Sequence, residues 1–121
     1  MALVLKEIFT SWGLETEIFA ETIAGFHRGR PRLLKDIHLR TESDDILIYH
    51  HSIQSAGVDV FRLFPGRKIL VYHNITPASF FLDYDPYTFI QCRRGRRMLK
   101  NLIPGCDLAV ALSDFSAREL E

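Results

Sequence analysis

Two apolar runs constrain this chain more than any other feature. Residues 46–51 read ILIYHH and residues 69–74 read ILVYHN. Side chains alternate between the two faces of a strand, so an uninterrupted apolar run leaves neither face for water. Such runs belong to parallel strands covered by helices on both sides. Between them, Ala56 to Phe64 has the spacing of a short helix carrying Val58, Phe61 and Leu63, and Pro65-Gly66 stops it. Strand, helix and strand make a βαβ unit with a connection long enough for the crossover.

The flanking segments extend the same alternation. Leu3, Leu5, Ile8, Phe9 and Trp12 recur at helical spacing and Gly13 follows as a stop. Leu14 to Phe19 alternates apolar and polar residues, as a half-buried strand does. Ala24 to Ser43, with Gly25, Gly29 and Pro31 among basic residues, reads as mostly loop, with a short strand or turn at Ile37 to Leu39. After Asp83-Tyr84-Asp85-Pro86, a long helix is expected from about Tyr87 to Ile103, closed by Pro104-Gly105. Leu108 to Leu112 is another apolar strand, and Ser113 caps a helix expected to run on to Glu121. The fold class is α/β: a Rossmann-like, doubly wound parallel sheet in one domain over residues 1–121.

Composition removes several function classes. The 15 basic and 15 acidic side chains cancel, so global charge favours neither nucleic acid nor membrane. Cys92 and Cys106 are too few and too far apart for a disulfide framework or a Cys-x-x-Cys metal site, which fits a reducing, cytoplasmic compartment. The N-terminal MALVLKEIFTSW is interrupted by Lys6 and Glu7 and reads as neither signal peptide nor membrane span. The Asn74-Ile75-Thr76 sequon is followed directly by Pro77 and is discarded as a glycosylation site.

The histidines carry the chemistry. Open parallel sheets bind ligands outside the carboxyl ends of their strands, and His50, His51 and His73 all fall at such ends. An imidazole there donates to a phosphate or sugar hydroxyl, or moves a proton near neutral pH; it also serves, less informatively, to satisfy loop carbonyls. A zinc site is disfavoured because His50 and His51 are adjacent and point to opposite sides, with no His-x-x-x-His or His-Glu pair in support. Ser52 and Ser55 lie near histidines without a Gly-x-Ser-x-Gly elbow, and the chain has neither a Gly-x-Gly-x-x-Gly fingerprint nor a P-loop. Arg93, Arg94, Arg96, Arg97 and Lys100, in CRRGRRMLK, form either a solvated helix face or a contact for an anionic membrane surface. Nucleic acid fits less well, since no aromatic residue interleaves with these arginines.

Together, DILIYHHS, PGRKILVYHNITPASFF, YDP and CDLAVALSDFSARELE, in this order and spacing, resemble the N-terminal, acceptor-side domain of retaining glycosyltransferases of the GT-B fold, family 4 (group 1). LKEIFTSWGLETEIFAE is similar to that domain's first helix and second strand. The resemblance covers most of the chain and is most specific from Asp45 to Asp85. It implies a cleft between two Rossmann-like domains, with a nucleotide-sugar as donor substrate and no metal or other cofactor. It puts His73 beside the transferred sugar and donor phosphates as the catalytic histidine. His50, His51 and Ser52 become cleft-wall residues, and Asn74 to Phe81, with Asn74 and Thr76, an acceptor-side loop. It also implies a C-terminal donor-binding domain and a first, central strand with its glycine-rich loop, neither of which this sequence contains. The expectation is therefore an inactive isolated chain that needs a partner carrying the donor site. The location expected is cytoplasmic, with peripheral contact at the inner membrane face through the arginine-rich helix. The competing class is a non-catalytic α/β module that binds a protein partner, or binds through that helix.

Overall fold

A computed structural model describes residues 1–23 and 31–121. The loop expected around Gly25 and Gly29 falls on residues 24–30, outside the described residues. Among the described residues the chain is mixed α/β, with one parallel sheet of two strands and one of three. The described residues group into two compact units, Met1–Thr41 and Glu42–Glu121.

The first unit opens with α1 (Ala2–Ser11). Its end is a Schellman closure. The Leu14 N–H donates to the Phe9 carbonyl and the Gly13 N–H to that of Thr10, with Gly13 at φ 81°, a conformation that glycine adopts without a Cβ penalty. The alternation from Leu14 to Phe19 yields only β1 (Phe19–Ala20), paired in parallel with β2 (Arg32–Leu33). The expected strand or turn near Ile37 is a 3₁₀ helix, Leu34–Leu39, with Ile37 buried. Glu17 accepts from Arg32 at 2.8 Å and lies 3.6 Å from Arg40.

The second unit follows the sequence closely. It comprises β3 (Ile46–His51), α2 (Gly57–Leu63), β4 (Arg67–Tyr72), a 3₁₀ turn (Ala78–Phe81) and α3 (Pro86–Leu102). A second 3₁₀ turn (Ile103–Gly105), β5 (Leu108–Ala111) and α4 (Asp114–Arg118) complete it. The sheet order is β3-β4-β5, all parallel. Asp85 caps α3, accepting from the Thr88 N–H at 3.0 Å and the Thr88 hydroxyl at 2.6 Å, with Pro86 in the first turn. Ser113 caps α4 by accepting from the Ser116 N–H, but the helix stops at Arg118 instead of reaching Glu121.

One face of this sheet builds the core. Leu70 and Tyr72 pack with Val58 and Phe61 of α2 and with Cys92, Leu99 and Leu102 of α3, and Leu47, Tyr49 and Ala109 join the cluster. Alternate residues lie on the other face, where Ile46, Leu108 and Val110 are exposed. The apolar runs thus have one thoroughly packed side, while on the other Val71 is buried and Ile48 and Ile69 are partly buried.

Candidate functional site

The two Tyr-His runs recur 23 residues apart, His50 to His73. In the ladder, however, Ile46 pairs with Arg67 and His51 with Tyr72, a register of 21. The runs are therefore staggered by two residues. An even stagger preserves the alternation of faces, so Tyr49 and Tyr72 both enter the core, and His50 and His73 both leave on the opposite face. The ladder continues past β4 through the His73 N–H, which donates to the His51 carbonyl at 2.9 Å.

That stagger brings His50 and His73 together diagonally across the strand ends. His50 Nδ1 lies 2.9 Å from His73 Nε2, and the ring centroids are 5.2 Å apart. Only one proton fits between these two nitrogens. If His50 donates, its Nε2 is left a bare acceptor and His73 Nδ1 carries a proton; if His73 donates, the outer roles are exchanged. The neutral pair therefore presents one donor and one acceptor beyond the contact, and reversing the central bond swaps them. Burial lowers the His50 pKa, and the neighbouring His73 lowers it further.

His51 has a different environment. Its side chain is fully buried, and its Nε2 lies 2.9 Å from the Gly95 carbonyl in the middle of α3. A carbonyl only accepts, so Nε2 carries the proton, and Nδ1 is left to accept from the Tyr49 hydroxyl at 3.4 Å. That hydroxyl is 3.1 Å from Ser55 Oγ, which accepts from the Gly57 N–H. Burial pushes the His51 pKa down, and the bond to Gly95 offsets part of the shift. Gly95 is where α3 comes closest to the segment after β3. A Cβ there would stand 2.9 Å from Gln54 N and 3.1 Å from Ile53 C and Cα.

The remaining sequence-predicted residues divide between two surfaces. Ser52 follows β3, and Asn74 and Thr76 follow β4, so all three are exposed at the same carboxyl end of the sheet as the histidine pair. The basic residues are on α3. Arg93, Arg94, Arg97 and Lys100 are exposed, whereas Arg96 turns inward. It pairs with Glu119 at 2.6 Å and donates to the Ile75 carbonyl at 2.5 Å. Glu119 also accepts from the Tyr72 hydroxyl at 2.6 Å, and that hydroxyl accepts from the Ile75 N–H. Burial, with the bond to Glu119, pushes the Tyr72 phenol up to about 12. This network pins the segment after His73 to α3 and to the end of α4. Nothing local in the sequence marked Arg96 and Glu119 as members of this network, or Gly95 as the partner of His51.

Among the described residues, no group of three or more His, Cys, Asp or Glu side chains is placed to hold a metal ion. No protein-family model, curated protein or solved structure matches the chain.

Proposed function

We propose that this chain is the Rossmann-like, acceptor-side part of a nucleotide-sugar-dependent retaining glycosyltransferase, working with a donor-binding domain on the same or another polypeptide. The observation that carries the proposal is the His50–His73 contact at the carboxyl ends of two adjacent parallel strands, where open α/β sheets bind ligands. Ser52, Asn74 and Thr76 surround that end with exposed hydrogen-bonding groups, a chemistry suited to hydroxyl-rich acceptors.

In such a transfer the sugar leaves a phosphate oxygen and joins an acceptor oxygen, and the acceptor's proton ends on the departing phosphate. His73 meets the sugar and phosphate side. Its outward nitrogen donates where negative charge develops, an interaction that strengthens as the bond breaks. His50 sets which nitrogen of His73 carries the proton, as a positioning residue. Fold by itself argues for no particular activity; the histidine pair and its polar rim support this one.

The test is His73→Ala in the transferase assembled with its donor-binding domain. Turnover falls about 100-fold or more, the range for losing one such donor, while the unfolding midpoint stays near that of the parent. Near-normal turnover would sink the catalytic role. A non-catalytic binding module is the second reading, favoured by the exposed cations of α3; it predicts partner binding that is indifferent to His73 and sensitive to Arg93 and Arg97.

A further inference from the structure

The segment from Phe80 to Lys100 combines two surface features that ordinary solvation does not require together. Phe80, Leu82, Tyr84 and Tyr87 are each more than half exposed, and Ile90 is 43% exposed. The Asp85 N–H donates to the Phe81 carbonyl at 3.0 Å, and the Phe81 and Tyr84 rings lie 5.9 Å apart. The aromatic turn is therefore fixed against the start of α3 and does not trail from it. Isolated exposed apolar residues are unremarkable, but several gathered at one end of a helix mark an interaction surface.

The helix continues that surface with charge. Ile90, Arg93, Arg97 and Lys100 follow one another at three- and four-residue steps, with Arg94 beside them, opposite the buried line of Cys92, Gly95, Leu99 and Leu102. Arg93, Arg94, Arg97 and Lys100 form no ion pair among the described residues, whereas Arg96, the basic residue facing inward, is paired with Glu119. Of the two acids nearby, Asp85 is bound to Thr88 and Asp83 is exposed. The result is an aromatic tip leading into a face of four solvent-directed cations.

We propose that this surface docks the protein on an anionic phospholipid bilayer, with the aromatic turn in the headgroup–acyl boundary and α3 along the interface plane. Tyrosine rings suit that boundary because one end is apolar and the other polar. Arginine and lysine stems lie along apolar surface while their heads reach phosphate. A single-stranded nucleic acid would need stacking rings distributed along the cations, and here the rings are gathered at one end. The inference stands on α3 and its leading turn, independently of any sugar-transfer chemistry at the histidines.

The experiment is co-sedimentation of the full chain with vesicles of phosphatidylcholine alone and of equal parts phosphatidylcholine and phosphatidylglycerol, with a salt titration. Binding is expected to the anionic vesicles only and to weaken with salt. Each cation contributes about fivefold, so the combined Arg93→Gln, Arg97→Gln and Lys100→Gln variant partitions on the order of a hundredfold less. The combined Phe80→Ser and Tyr84→Ser variant loses the binding that persists at high salt. All these side chains are exposed, so circular dichroism should show the parent fold in both variants. Three results would overturn the proposal: no sedimentation of the parent chain, anionic binding that survives in the triple variant, or displacement from vesicles by a short oligoribonucleotide bound more tightly than lipid.

Discussion

Replacing Gly95 with alanine sets two known effects against each other. In an exposed helix interior the change is favourable by about 1 kcal/mol, because glycine loses more backbone entropy on folding. At this site the new methyl would stand 2.9 Å from Gln54 N and 3.1 Å from Ile53 C and Cα. All three are backbone atoms, so no side-chain rotation relieves the crowding, and either α3 or the segment after β3 must move. Overpacking of this kind costs about 1–3 kcal/mol. Displacement also lengthens the 2.9 Å bond from buried His51 to the Gly95 carbonyl, at about 1 kcal/mol more. The net expectation is destabilisation by about 1–3 kcal/mol, and a fall in Tm of about 4–8 °C for each kcal/mol in a unit of this size. Urea and thermal denaturation followed by circular dichroism measure both quantities. Gly105→Ala is the internal control, because a Cβ there meets nothing within 4 Å. An alanine at 95 that leaves stability unchanged, or raises it as much as helix propensity alone allows, refutes the close-approach account.

Two further outcomes follow from buried polar groups. Burial first, then the neighbouring His73 for His50, lowers the His50 pKa, and burial lowers that of His51, both from 6.5; the unfolded chain therefore binds more protons than the folded one just below that pH. Stability should fall as pH drops from about 6.5 towards the lowered folded values, by at most about 1.4 kcal/mol per pH unit for buried His51, and less for the partly buried His50. Urea midpoints between pH 8 and pH 5.5 that stay level, or rise on acidification, contradict this. Tyr72→Phe leaves the Ile75 N–H without its hydroxyl acceptor and Glu119 with Arg96 alone. It should cost about 1–3 kcal/mol, read from urea denaturation at neutral pH, and an unaltered midpoint shows that the network contributes little.

The strands and helices of the second unit were legible because independent signals agree there. Apolar runs locate β3 and β4, Pro65-Gly66 separates α2 from β4, and Asp85-Pro86 fixes the start of α3. The first unit was less legible. Alternation from Leu14 to Phe19 reports which side chains share a face, whereas a strand also needs a partner, and among the described residues Phe19 and Ala20 are the ones that pair. At the candidate site, the sequence put three histidines at strand ends but gave no pairing between them. Their different surroundings depend on register and on the approach of Gly95, both properties of the folded chain. Arg96 shows the same limit: five cations in one helix look alike until Glu119, distant in sequence, selects one of them.

The two-residue stagger between β3 and β4 also decides which changes in chain length the histidine pair survives. Face parity is set only by how many residues separate each histidine from the paired part of its own strand. A codon gained or lost in the turns on either side of α2 leaves that parity untouched, since a loop absorbs length without turning a strand over. A codon lost between Lys68 and Tyr72, with pairing upstream retained, would rotate His73 into the core and carry its tyrosine neighbour outward. Insertions and deletions among descendants of this sequence should therefore collect in those turns and spare the strands, even where substitutions have rewritten the apolar residues themselves.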